Sequence, residues 1–145
     1  MSTETVNVLY TATAHSEGGR NGTALTGDGL IDVNLTVPKA MGGAGKAGAT
    51  TPEDLFAAGY AACFGGAVDF MGVKNGLKPS SVVIDSSVSI GTTETGVGLK
   101  VDLVAKIGGL SQADAEKIVA LGHQFCPYSK ATRGNIEVTV KTVVV

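Results

Sequence analysis

Two residues of this chain are suited to covalent chemistry, its only cysteines, Cys63 and Cys126. Cys63 lies in a run, Leu55 to Val68, that holds no charged residue. Cys126 directly precedes Pro127, where a helix must break and local opening is easy. One thiol inside a buried helix and one at a hinge suit a pair that forms a disulfide during a reaction cycle. The attacking sulfur must be a thiolate, which needs a nearby cation or helix dipole. Cys63 is too far inside its helix for the dipole to help much. The cation would then be Arg20 or Arg133, the only arginines. Arg20 sits in a glycine-flanked turn that can approach closely. Arg133 also suits a structural role, pairing with carbonyls at the Cys126 bend. The competing reading of Cys63 is a small buried core residue, since free cysteine is among the most buried types.

His123 precedes Cys126 by three residues. The two could supply a pair of metal ligands, but even with Cys63 no fourth is evident, so no metal is expected. A Cys-His hydrolase would lack an orienting partner and would not need Cys126. His123 reads better as a helix C-terminal residue favoured by the dipole.

The elements that position the thiols follow from pattern. Residues 51–69 read as a helix with Thr51 as cap, Pro52 at its first position, Glu53 and Asp54 at its positive end, and Asp69 closing it. With no polar face it should be buried all round, and it is short and Gly/Ala-rich for a membrane span. Before it, residues 5–14, the short stretch around Ala24 and Leu25, and residues 30–37 alternate as strands of an antiparallel meander. The glycine-rich loop Met41–Thr50 lacks the spacing and the Ser or Thr of a phosphate loop, and reads as a flexible entry to the helix. After it, Asn75-Gly76 and Pro79 mark a stop, and residues 81–91 and 97–107 form a hairpin. Ser111 caps a second helix that runs to about Phe125, and residues 136–145 form a last strand. The order is α+β, a single domain over residues 1–145, with antiparallel sheets wrapped around a long buried central helix. Neither β-rich half can cover every side of that helix, so an interlocked homodimer is expected.

Composition narrows the function. At 145 residues with net charge −2, the chain gives no electrostatic reason to bind nucleic acid or an anionic membrane. No basic stretch followed by an apolar core opens the sequence, so a cytoplasmic location is expected, where structural disulfides are rare.

Five stretches resemble the Ohr branch of the OsmC/Ohr superfamily, the organic hydroperoxide resistance proteins. They are Leu9-Tyr-Thr-Ala-Thr-Ala14, Gly18-Gly-Arg-Asn-Gly22, Thr51-Pro-Glu-Asp-Leu-Phe-Ala-Ala-Gly-Tyr60, Ala62-Cys-Phe64 and Cys126-Pro-Tyr-Ser-Lys-Ala-Thr-Arg-Gly-Asn-Ile136. The last is long and specific, and the resemblance covers nearly the whole chain. Departures at Lys46, where the family commonly has Gly, and at Thr51, where it commonly has Asn, touch the loop and the cap rather than the thiols.

The resemblance implies an OsmC-like fold and a thiol peroxidase without a cofactor. Cys63 corresponds to the peroxidatic cysteine and Cys126 to the resolving one. Arg20 and Glu53 correspond to the polar pair that serves Cys63. The implied substrates are organic hydroperoxides, and the implied reductant is a lipoylated protein or dihydrolipoamide. One regular helix over residues 52–63 would separate Glu53 from Cys63 by about 15 Å along its axis. Arg20 and Glu53 are therefore expected to reach Cys63 from the other chain of the dimer. Phe64, Met41, Leu25 and Phe125 are candidate lining for an apolar pocket that would favour bulky hydroperoxides. The alternative from another class is a non-catalytic redox sensor or binding protein using the same disulfide as a switch.

Overall fold

The computed structural model describes residues 3–145. Its contacts divide into two compact units, which meet in sequence at Pro52 and Glu53. In the first unit, β1 (Ala14–Glu17), β2 (Thr23–Thr26), β3 (Asp32–Leu35) and β4 (Ala49–Thr50) form one sheet in that order. The pairs β1/β2 and β2/β3 are antiparallel, whereas β3/β4 is parallel through Asn34–Ala49 and Leu35–Thr50.

The strand expected at residues 5–14 forms only from Ala14 onward. Val6, Val8, Leu9 and Tyr10 are exposed, without regular structure. Alternation alone does not make a strand; a hydrogen-bonded neighbour is required. β2 offers that neighbour from Thr26 to Thr23, opposite Ala14 to Glu17.

The second unit opens on helix α1 (Pro52–Lys74) and continues through β5 (Ser81–Thr93), β6 (Gly96–Gly108), α2 (Gln112–Phe125), α3 (Pro127–Thr132) and β7 (Glu137–Val144). The hairpin β5/β6 is antiparallel, from Ser81 opposite Gly108 to Thr93 opposite Gly96. β7 lies on the other side of β6 and runs parallel to it. Both sheets are thus mixed rather than antiparallel, within an α+β architecture. Period-two patterning is blind to strand direction. Here the crossover through α2 and α3 carries the chain back so that β7 enters from the same end as β6.

Inward-facing Val101, Leu103, Ala105 and Ile107 of β6 are fully buried or nearly so. They pack in one core with Tyr60, Phe64, Ala67 and Val68 of α1 and Ala115, Ile118 and Val119 of α2. Each such large apolar side chain contributes about 1.5–3 kcal/mol by leaving water. As expected, Ser111 caps α2, its hydroxyl accepting the Asp114 N–H at 3.2 Å.

One expectation for α1 is corrected: it does not end at Asp69 but runs 23 residues to Lys74. One aspartate on an exposed face leaves the backbone ladder intact, and the true stop lies at Asn75-Gly76. There Gly76 takes φ 70° and the Leu77 N–H bonds back to the Gly72 carbonyl at 2.8 Å. Within one chain α1 is covered on one side only. Tyr60, Phe64, Ala67, Val68 and Gly72 are buried, while Phe70 and Val73 are about half exposed. The sheet and α2 together line only one side of a cylinder. At this length α1 could cross a bilayer by size and composition alone. Its buried stripe packs instead on sheet and helix, as a core helix does.

Candidate functional site: a dithiol at a helix break

Cys63 projects from the middle of α1, one residue before the buried Phe64, and is half-buried. Cys126 is fully buried and occupies the single residue between α2 and α3. Pro127 explains that position. Its ring disfavours helical geometry in the preceding residue, and Cys126 accordingly has ψ 123°. The same proline fits the first turn of α3, where no backbone donor is needed. The break is tied on both sides. The Cys126 N–H bonds the Gly122 carbonyl at 2.8 Å, and the Cys126 carbonyl accepts the Lys130 N–H at 3.0 Å.

Gly122 lets this end of α2 press onto α1. A Cβ there would sit 2.7 Å from Val68 Cγ2 and 2.9 Å from the Val68 backbone. Through this close crossing the structure brings the two cysteines together. They are free thiols with sulfurs 3.5 Å apart, Cys126 donating to Cys63. A disulfide is about 2.05 Å long, so a small movement at the break would close it.

Burial pushes the Cys63 thiol above the ordinary cysteine range, and its hydrogen bond with Cys126 pushes further the same way. The Tyr128 N–H, from the first turn of α3, acts in the opposite direction by donating to the Cys63 sulfur. Within this unit the balance favours the thiol.

His123 departs from its sequence reading. It does lie in the last turn of α2, but burial first and the Arg133 charge second lower its pKa, so the neutral ring is favoured. Its Nδ1 lies 2.8 Å from Ser129 Oγ, and its carbonyl accepts an Arg133 N–H at 2.6 Å. That contact is the carbonyl pairing expected of Arg133 at the Cys126 bend.

Among residues the sequence did not single out, Tyr60 stands foremost. Its ring is fully buried and its hydroxyl lies 2.8 Å from Ser129 Oγ and 3.1 Å from Thr132 Oγ1. Phe56, Phe64 and Tyr128 surround it with ring centroids 5.9–6.4 Å away. A tyrosine three residues before a cysteine on a helix is the only local signal that could have marked it.

The other predicted residues stand as follows. Glu53 is in the first turn of α1, and the helix between it and Cys63 is unbroken. That separates the two by about 15 Å along the axis, as expected. Arg20 lies in a 3-10 turn, Gly19–Asn21, of the first unit. Phe64 is core rather than pocket lining, and Phe125 instead stacks on Phe70 with centroids 5.0 Å apart. A cleft of about 440 Å³ beside Tyr10, Thr13, Asp28 and Leu30 of the first unit holds neither cysteine. Among the described residues no group of three or more His, Cys, Asp or Glu side chains could hold a metal ion.

Comparison with known proteins places this dithiol in context. Residues 43–141 match the family described as OsmC-like protein. The organic hydroperoxide resistance protein of Xanthomonas axonopodis pv. citri is 50% identical over 134 residues, covering 92% of this chain and 94% of that one. Organic hydroperoxide resistance protein OhrB of Bacillus subtilis is 42% identical, covering 92% of this chain and 97% of its own. The crystal structure of OhrB superposes with TM-score 0.85 at 39% identity, over 93% of this chain and 99% of that one. An organic hydroperoxide resistance protein from Legionella pneumophila superposes with TM-score 0.89 at 45% identity, over 95% and 100% of the two chains.

Proposed function

The chain belongs to the OsmC-like family, and from that premise we propose that it is a thiol peroxidase that reduces organic hydroperoxides to alcohols. The observation that carries the proposal is the pair of reduced sulfurs 3.5 Å apart, one inside a continuous helix and one at a helix break. The names of the relatives supply the substrate class.

In the proposed cycle the Cys63 thiolate attacks one peroxide oxygen. The O–O bond breaks, the alkoxide leaves as alcohol after gaining a proton, and Cys63 becomes a sulfenic acid. Cys126 then attacks the sulfenic sulfur. The S–S bond forms, the S–O bond breaks, and water leaves with the Cys126 proton. A dithiol reductant, dihydrolipoamide or a lipoylated protein, opens the disulfide by exchange and is itself oxidised to a disulfide.

Burial holds Cys63 as a thiol, so the first step needs a cation. Arg20 fills that role in this reading, with Glu53 orienting its guanidinium by a bidentate pair. The axial distance between Glu53 and Cys63 supports delivery of both groups from a second copy of the chain. The half-exposed apolar face of α1 at Phe70 and Val73 supports such a dimer. The proposed setting is a reducing cytoplasm that keeps the resting thiols free.

The test is turnover. Reduced protein mixed with cumene hydroperoxide and dihydrolipoamide should consume many equivalents of peroxide, faster than it consumes hydrogen peroxide. Cys63→Ser should abolish this. Consumption of a single equivalent by the wild-type protein, without cycling, would instead identify a redox sensor.

A further inference from the structure

The hydroxyls behind Cys126 form a chain whose direction can be worked out by counting protons. Thr132 Oγ1 donates to the Ser129 carbonyl at 3.2 Å. Its single proton is thereby used, so at the 3.1 Å contact with Tyr60 it accepts, and Tyr60 donates. Tyr60 then has no proton left for Ser129, 2.8 Å away, so Ser129 Oγ donates to Tyr60. Ser129 in turn can only accept from His123 Nδ1 at 2.8 Å. One polarity satisfies all four contacts: His123 Nδ1–H to Ser129, Ser129 to Tyr60, Tyr60 to Thr132, Thr132 to the Ser129 carbonyl. It requires the neutral His123 tautomer with its proton on Nδ1. A protonated His123 would donate from the same atom, so the chain keeps its direction in either state.

The chain links three elements. Tyr60 comes from α1, one helical turn before Cys63; Ser129 and Thr132 come from α3, which begins directly after Cys126; His123 comes from the last turn of α2. Tyr60, Ser129 and Thr132 are all buried, with relative exposures of 0, 0 and 4%. Removing one buried partner would therefore leave others unsatisfied in a low-dielectric site. Tyr60 bonds the α3 hydroxyls and Cys63 meets Cys126, so two successive turns of α1 hold the break residue and the helix that follows it.

We propose that Tyr60 is a positioning residue for Cys126: by bonding Ser129 and Thr132 it ties α3 to α1 and keeps the Cys126 sulfur at attacking distance from Cys63. The proposal rests on the peroxidase reading for its place in the cycle, at the step where Cys126 attacks the Cys63 sulfenic acid. A sulfur already 3.5 Å from its target is close to a near-attack geometry. Loosening the break would spread Cys126 over many positions and lower its effective concentration at Cys63. The same loss would weaken disulfide formation at equilibrium, because the freed dithiol has more entropy to lose.

Tyr60→Phe keeps the ring and deletes the hydroxyl. The dithiol and disulfide forms are first equilibrated in a buffer of dihydrolipoamide and lipoamide, with no peroxide present. The equilibrium constant for the Cys63–Cys126 disulfide should fall about tenfold relative to wild type. After one equivalent of cumene hydroperoxide, the Cys63 sulfenic acid trapped by dimedone should persist about tenfold longer. Thr132→Val should change both readings in the same direction, and Thr132→Ser, which keeps the hydroxyl, should restore them. That pair carries the test if Tyr60→Phe does not fold. Unchanged equilibrium and sulfenic acid lifetime in folded Tyr60→Phe or Thr132→Val protein would overturn the proposal, whatever the effect on melting temperature. The peroxide-free arm separates the two claims. A shifted equilibrium in a protein that never turns over hydroperoxide keeps the positioning role and removes the peroxidase reading. Turnover with no shift does the reverse.

Discussion

The two cysteine-bearing regions differ in how they hold sulfur. Cys63 stands in the body of α1, with continuous helix on both sides and the buried core stripe beside it. Cys126 stands outside both flanking helices, held by one hydrogen bond to α2 and one to α3. The helix can fix a nucleophile; the break can let a partner move the short distance that a disulfide requires. In the proposed cycle the contrast is a division of labour: the attacking group is placed by regular structure, and the adjustable group by an interruption of it.

The strongest way to break this contrast is Cys126→Ser. The variant should consume one equivalent of hydroperoxide at Cys63 and then lose steady-state turnover with dihydrolipoamide by about a hundredfold or more, the range expected when a reacting group is no longer positioned. Mass spectrometry should show further oxidation of Cys63 under excess peroxide. Full multi-turnover activity would mean that Cys126 is not the partner.

A smaller effect tests the crossing that brings the two regions together. In Gly122→Ala the new methyl would meet the Val68 backbone at 2.9 Å. Overpacking of this kind costs about 1–3 kcal/mol. Alanine in place of glycine returns about 1 kcal/mol of helix propensity. A net loss of up to about 2 kcal/mol in urea unfolding is expected, because Val68 belongs to the fully buried stripe and cannot swing away. A stabilised variant would show that the close approach of α2 to α1 is not a constraint.

The smallest effect concerns His123, at the α2 side of the break. Its pKa is lowered in the folded chain, so below about 6.5 the unfolded chain takes up that proton first. Stability from this group is therefore present above the unfolded pKa. It is lost as the pH falls from about 6.5 toward the lowered folded value. His123→Asn keeps a donor for Ser129 but cannot titrate. Its urea midpoint should fall less than that of wild type between pH 7 and pH 5. Equal slopes would assign the acid sensitivity to other groups.

Much of the second unit was legible in the sequence because its signals are local. Ser111 marked the start of α2, and Pro127 marked the break. The alternation of residues 97–107 marked β6, whose inward side chains are indeed buried. The first unit was less legible. The same alternation at residues 5–14 found no neighbouring strand over most of its length, and pattern cannot supply one. The parallel entry of β7 was also out of reach. It depends on where separate elements lie, not on what they contain.

By itself the sequence determined the two thiols, the apolar helix that carries one and the proline break that carries the other. These are properties of residue type, periodicity and backbone restriction. Only the tertiary structure decided that the sulfurs meet at 3.5 Å and that Tyr60 binds hydroxyls 69 and 72 residues further along the chain. The physical reason is the packing of α2 against α1 at Gly122. A contact between backbones sets distances between side chains that no local preference encodes.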